Sequence, residues 1–101
     1  MLVVVFRSRL RADADMQALE AAGLRMYQLA SAMPGFVSYK DFASQDGEFV
    51  SIVEFEDEAT LAAWRNHPEH MAIQERGRRE FMSDYRIQVC TPLRDYAFHK
   101  E

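Results

Sequence analysis

The chain has 101 residues, of which 49% are hydrophobic and 28% charged, the make-up of one ordinary globular domain with one core. Its net charge is −4. The densest basic stretch, residues 76–79, has Glu75 and Glu80 beside it, which excludes the basic face that nucleic-acid binding requires. No apolar run approaches the roughly 20 residues of a membrane span, and the first residues carry no basic-then-apolar leader. With a single cysteine, Cys90, no internal disulfide forms, so the expected compartment is the cytoplasm, with no membrane partner.

Residues 2–10 are rich in Val and read as a strand. Alternation puts Leu2, Val4, Phe6, Ser8 and Leu10 on one face, and Val3, Val5, Arg7 and Arg9 on the other. Asp13 or Asp15 then caps a helix running to about Met33, whose apolar stripe (Met16, Leu19, Gly23, Met26, Ala30, Met33) keeps a three–four spacing. Pro34-Gly35 stops it. Residues 36–43 and 48–55 alternate as two strands, joined by Gln45-Asp46-Gly47, a sequence that suits a hairpin turn.

Asp57 is a good N-cap for a short helix ending near Asn66, with Thr60 at its third position. Pro68 lacks a backbone N–H and opens a second helix, which the pattern carries to about Met82. Residues 85–91 close the domain as a strand, with Tyr85, Ile87 and Val89 on one face. The tail from Pro92 holds Leu93, Tyr96 and Phe98 and is more apolar than a disordered tail requires.

The order is β-α-β-β-α-β, a single domain over residues 1–101 of α+β, ferredoxin-like class with a four-stranded antiparallel sheet, its second helical unit broken at Pro68. Both helical units would cover one face of the sheet. Val3, Val5, Val37 and Tyr39 would then lie on a bare face, for which a second copy of the chain is the simplest cover.

The stretch from Trp64 to His70 contains the only tryptophan and two of the three histidines, at a helix break. On the helix after Pro68, His70, Ile73, Gln74, Gly77 and Phe81 share a face that points at the sheet. Two polar side chains and a glycine there suit a lined cavity. They suit equally a plain core, with His70 bonded to a carbonyl and Gly77 allowing close packing. Gly77 within a helix costs about 1 kcal/mol relative to Ala.

His67 and His70 do not make a metal pair, because Pro68 interrupts the helix between them and no third ligand converges. No metal is expected. Trp64 suits a core position or the stacking of a flat ligand. Cys90, without an adjacent base, reads as a buried inert thiol. Tyr39 and Tyr85 are possible hydrogen-bond donors.

Met33-Pro34-Gly35-Phe36, Glu54-Phe55-Glu56-Asp57, Trp64 followed by His67-Pro68-Glu69-His70, and Gln74 followed by Gly77-Arg78 and Phe81 occur in this order over nearly the whole chain. In them the chain resembles the antibiotic biosynthesis monooxygenase family of the dimeric α+β-barrel superfamily. The resemblance implies two sheets face to face in a homodimer, and in each protomer a pocket between helices and sheet. It further implies cofactor-independent oxygenation of a phenolic or quinol-type aromatic compound, with no flavin or metal, the substrate anion itself supplying electrons to dioxygen. On that resemblance His67 or His70 is the base. Trp64, Phe36, Phe81, Gln74 and Ser8 are the substrate-binding side chains.

Heme-degrading relatives use an Asn in the first strand and a His ten residues beyond the Trp. Here those positions are Ser8 and Gln74, which disfavours heme degradation. A non-catalytic dimeric module for ligand binding or stress stands as the other reading, because function belongs to the site and not the fold.

Overall fold

The computed structural model describes residues 1–101. The sheet consists of β1 (Leu2–Leu10), β2 (Phe36–Ala43), β3 (Phe49–Phe55) and β4 (Met82–Cys90), all antiparallel in the order β2-β3-β1-β4 and not closed into a barrel. On one face lie α1 (Met16–Ser31), α2 (Glu58–Arg65) and α3 (Pro68–Arg76). The fold is the expected α+β ferredoxin-like one. No helix is long and apolar enough to cross a membrane.

Each helix start follows from local chemistry. Asp15, not Asp13, caps α1 by accepting from the N–H groups of Gln17 and Ala18, both at 3.1 Å. Asp57 caps α2 through the Thr60 N–H at 2.8 Å, and the Thr60 hydroxyl answers the Asp57 N–H, which completes a capping box. These bonds hold the Asp57 carboxyl below its usual range. Gly35 turns the chain from α1 into β2 at φ +80°, and a Cβ there would stand 2.5 Å from Thr60, so no other residue fits without a shift. Gly47, at φ +91°, serves the β2–β3 turn.

The core is small. Leu29, Ala30, Val53, Phe55, Leu61 and Trp64 are buried together, with Leu2, Val4, Met26, Met33, Phe36, Tyr39 and Ile73 packed around them. Only Phe55 is both large and wholly enclosed.

Three details depart from the sequence reading. The helix at Pro68 ends at Arg76, and Gly77–Phe81 form one π-helical turn before β4, which starts at Met82, three residues earlier than expected. Cys90 is exposed at the end of edge strand β4, because its side of the sheet carries no helix. The third departure is a bulge. Phe36 pairs with Phe55 and Ser38 with Glu54, so Val37 is an extra residue and the alternation slips by one. Tyr39 thereby joins Phe36 on the helix face, where it packs edge-on to Tyr27 of α1 at 5.9 Å, rather than lying with Val37 on the bare face.

The bare face carries Val3, Val5 and Ile52 among polar groups that pair with one another. Arg7 contacts Glu48 at two points, both 3.1 Å, and the Ser38 hydroxyl donates to Glu54 at 2.5 Å. Beyond β4, residues 91–101 form no helix or strand, and Leu93, Tyr96 and Phe98 are exposed.

Candidate functional site

Helices and sheet do not close completely on each other. Between them lies a cavity of about 860 Å³, mostly lined by hydrophobic side chains. β1 contributes Val4, Phe6 and Ser8, β4 contributes Tyr85, Ile87 and Val89, α2 and α3 contribute Trp64, His70 and Gln74, and the π-turn contributes Gly77. A largely apolar hollow with a few polar groups is the usual form of a small-molecule site.

His70 is its most informative group. Its ring lies parallel on Trp64, with centroids 3.9 Å apart and planes 6° apart. Trp64 in turn stacks on Phe55 at 6.4 Å. Nδ1 of His70 is 2.9 Å from the Trp64 carbonyl oxygen. A carbonyl only accepts, so Nδ1 carries the proton and Nε2 the free lone pair. Burial is the main cause that lowers the His70 pKa from 6.5, partly opposed by the Trp64 carbonyl bond, with the nearby His67 lowering it slightly. The imidazole is therefore neutral at physiological pH, with one nitrogen ready to accept a proton. This geometry satisfies both expectations at once: His70 bonds a carbonyl, and it also lines a cavity.

His67 has a different task. It is the N-cap of α3, and its Nδ1 accepts the Glu69 N–H at 3.1 Å. It does not line the cavity. Glu69 is drawn the other way, to Arg25 of α1 at 2.5 and 2.8 Å, an ion pair that holds the Glu69 carboxyl below its usual range and ties α3 to α1.

The remaining expected residues divide in the same way. Trp64, Gln74, Phe81 and Ser8 line the cavity, and Ser8 and Phe81 are nearly inaccessible to solvent. Phe36 does not: it packs behind the wall, edge-on to Phe55 at 6.0 Å and to Tyr27 at 6.3 Å. Gly77 has a helical φ of −57°, and an added Cβ would meet Met82 only at an ordinary 3.6 Å. Close packing thus does not require glycine there. Its bare backbone leaves room at the start of the π-turn, a feature frequent at functional sites.

Several polar residues of the cavity carry no site signal in the sequence: Glu20, Tyr27, Tyr39, Asp41, Ser51 and Arg65. Strict alternation places Tyr39 on the opposite face, and the bulge at Val37 brings it here. Tyr85 lines the cavity while its hydroxyl accepts from Arg78 at 2.9 Å and its ring stacks on Phe6 at 5.3 Å.

The chain is similar in sequence and fold to known proteins. The family model for antibiotic biosynthesis monooxygenase matches residues 1–76. Uncharacterized protein YqjZ of Bacillus subtilis (strain 168) is 29% identical over 76 residues, covering 75% of this chain and 67% of that protein. Among solved structures, Rv0793 from Mycobacterium tuberculosis superposes with a TM-score of 0.82 at 25% identity, over 95% of this chain and 98% of that one. SnoaB, a cofactor-independent oxygenase from Streptomyces nogalater, gives a TM-score of 0.80 at 16% identity, over 93% and 94% of the two chains, a likeness of fold alone.

Proposed function

We propose, for a chain that belongs to the antibiotic biosynthesis monooxygenase family, that the cavity binds a small phenolic or quinol-type aromatic compound and oxygenates it without a cofactor. The observation that carries this is the neutral His70 imidazole, fixed by the Trp64 carbonyl at 2.9 Å with Nε2 unprotonated beside an apolar hollow.

The chemistry is short. His70 Nε2 takes the acidic O–H or C–H proton of the substrate, leaving a delocalised anion. The anion gives an electron to dioxygen, and the two radicals join at carbon as a peroxide. The O–O bond then breaks: one oxygen stays as a carbonyl and the other leaves as water, carrying the proton held by His70 and the hydrogen from the oxygenated carbon. Substrate plus dioxygen becomes quinone plus water, with no external reductant. Phe81 and the edge of Trp64 border the flat ring, Ser8 and Gln74 offer hydrogen bonds to its oxygens, and the apolar walls exclude water from the peroxide.

Proteins of this family are typically dimeric. We infer that a second copy of this chain covers the bare sheet face, where Val3, Val5 and Ile52 form an apolar strip no helix shields. β4 continues the sheet beyond the family match at residue 76, so we treat residues 1–101 as one domain. With its lone thiol exposed, we assign it to a reducing compartment, the cytoplasm.

The test is oxygen uptake with 1,8-dihydroxyanthrone and with methylhydroquinone, using ¹⁸O₂. The reading expects consumption above autoxidation and one labelled oxygen per product molecule. Binding of either compound without any uptake would instead favour the non-catalytic module.

A further inference from the structure

The cavity has a second polar station, which the chemistry above leaves idle. The extra residue at Val37 turns Tyr39 and Asp41 of β2 onto the cavity face, and there they meet Ser51, the partner of Asp41 across β3. The Ser51 hydroxyl donates to Asp41 Oδ1 at 2.5 Å, so its proton is committed. The half-buried Tyr39 keeps its own. Burial, helped by the charge of Asp41 and opposed by the Ser51 hydroxyl, pushes the phenol up to about 12. It is a neutral hydrogen-bond donor at any physiological pH.

Tyr39 stands on edge strand β2 and His70 on α3. The His70 ring lies on Trp64 (3.9 Å), Trp64 on Phe55 (6.4 Å), Phe55 against Phe36 (6.0 Å), Phe36 against Tyr27 (6.3 Å), and Tyr27 against Tyr39 (5.9 Å). Four rings thus separate the two polar side chains, one at α3 and the other at edge strand β2. A donor in a mostly apolar hollow discriminates by being left unpaired when the ligand offers no acceptor.

We propose that Tyr39 donates a hydrogen bond to an acceptor oxygen of the ligand, a carbonyl or phenolate, at the β2 end of the cavity, with Ser51 and Asp41 holding that end polar. The ligand then carries oxygen at two separated positions, one for His70 and one for Tyr39. This rests on reading the cavity as an aromatic-ligand site, and does not depend on oxygenation.

The test uses two soluble probes of one shape: anthraquinone-2-sulfonate, which has ring carbonyls, and anthracene-2-sulfonate, which has none. Binding is measured by titration calorimetry and by emission of Trp64, the sole tryptophan. The native protein is expected to favour the quinone. Tyr39→Phe, which keeps the ring, should weaken quinone binding roughly five- to tenfold and leave anthracene binding unchanged. Equal weakening of both probes, no change in either, or failure of the native protein to bind the quinone would overturn the proposal. If Tyr39→Phe does not fold, Ser51→Ala should give a smaller loss, about twofold, again for the quinone alone; a loss shared by both probes counts against it. A protein that discriminates in this way yet consumes no oxygen with any quinol would contradict the oxygenase reading and leave the Tyr39 contact standing.

Discussion

The two faces of the sheet use similar residues to opposite ends. On the bare face the polar groups satisfy one another: Arg7 takes both oxygens of Glu48, and Ser38 donates to Glu54. On the helix face His70 spends one nitrogen on a carbonyl and keeps the other, and Tyr39 keeps its proton. Paired polar groups make a surface that contributes little chemistry, while an incompletely paired group in an apolar hollow is available for a ligand. The difference separates a face suited to another protein from a face suited to a small molecule.

The largest effect should come from the wall that supports the cavity. Trp64 is 5% exposed and stacked between Phe55 and His70, so Trp64→Ala should cost about 3–5 kcal/mol, read by urea denaturation. If it costs less than about 1 kcal/mol, the packing described for this wall is wrong. On the other face, Val5→Arg should leave the melting temperature of the isolated protomer nearly unchanged but weaken self-association about thirtyfold or more, by sedimentation. A dimer indifferent to Val5→Arg would mean that the bare face is not where copies meet.

Gly77→Ala should gain up to about 1 kcal/mol in stability, because its Cβ meets only ordinary contact distances. The same change narrows the cavity, so ligand binding should fall as stability rises. A fall in stability would restore the close-packing account of this glycine. The smallest effect concerns pH. Because the folded pKa of His70 is lowered, its contribution to stability is complete above 6.5 and is lost as pH falls through the folded value. His70→Gln should therefore flatten part of the acid limb of the stability curve. An unchanged limb would place the lost protons elsewhere.

What the sequence made legible was set by short-range chemistry. The caps at Asp15 and Asp57, the stop at Gly35 and the break at Pro68 each depend on residues within a turn of one another, and all four stand where local rules put them. His70 on the sheet-facing stripe was legible for the same reason, through helical periodicity. The Val37 bulge was not. It depends on how β2 meets β3, and one extra residue moved Tyr39 to the other face, hiding a second polar group of the candidate site. The two histidines were also inseparable by sequence alone, since a residue just before Pro68 faces either way; the Glu69 N–H decides by claiming His67.

That separation gives the most direct measurement. The rate of oxygen uptake with 1,8-dihydroxyanthrone, compared among the native chain, His70→Gln and His67→Gln, tests whether the inward histidine is the base. The account predicts a loss of about 10²- to 10⁴-fold in kcat for His70→Gln, and for His67→Gln a rate within a few-fold of native once folding is verified. Equal rates in native and His70→Gln, or a loss confined to His67→Gln, would contradict it.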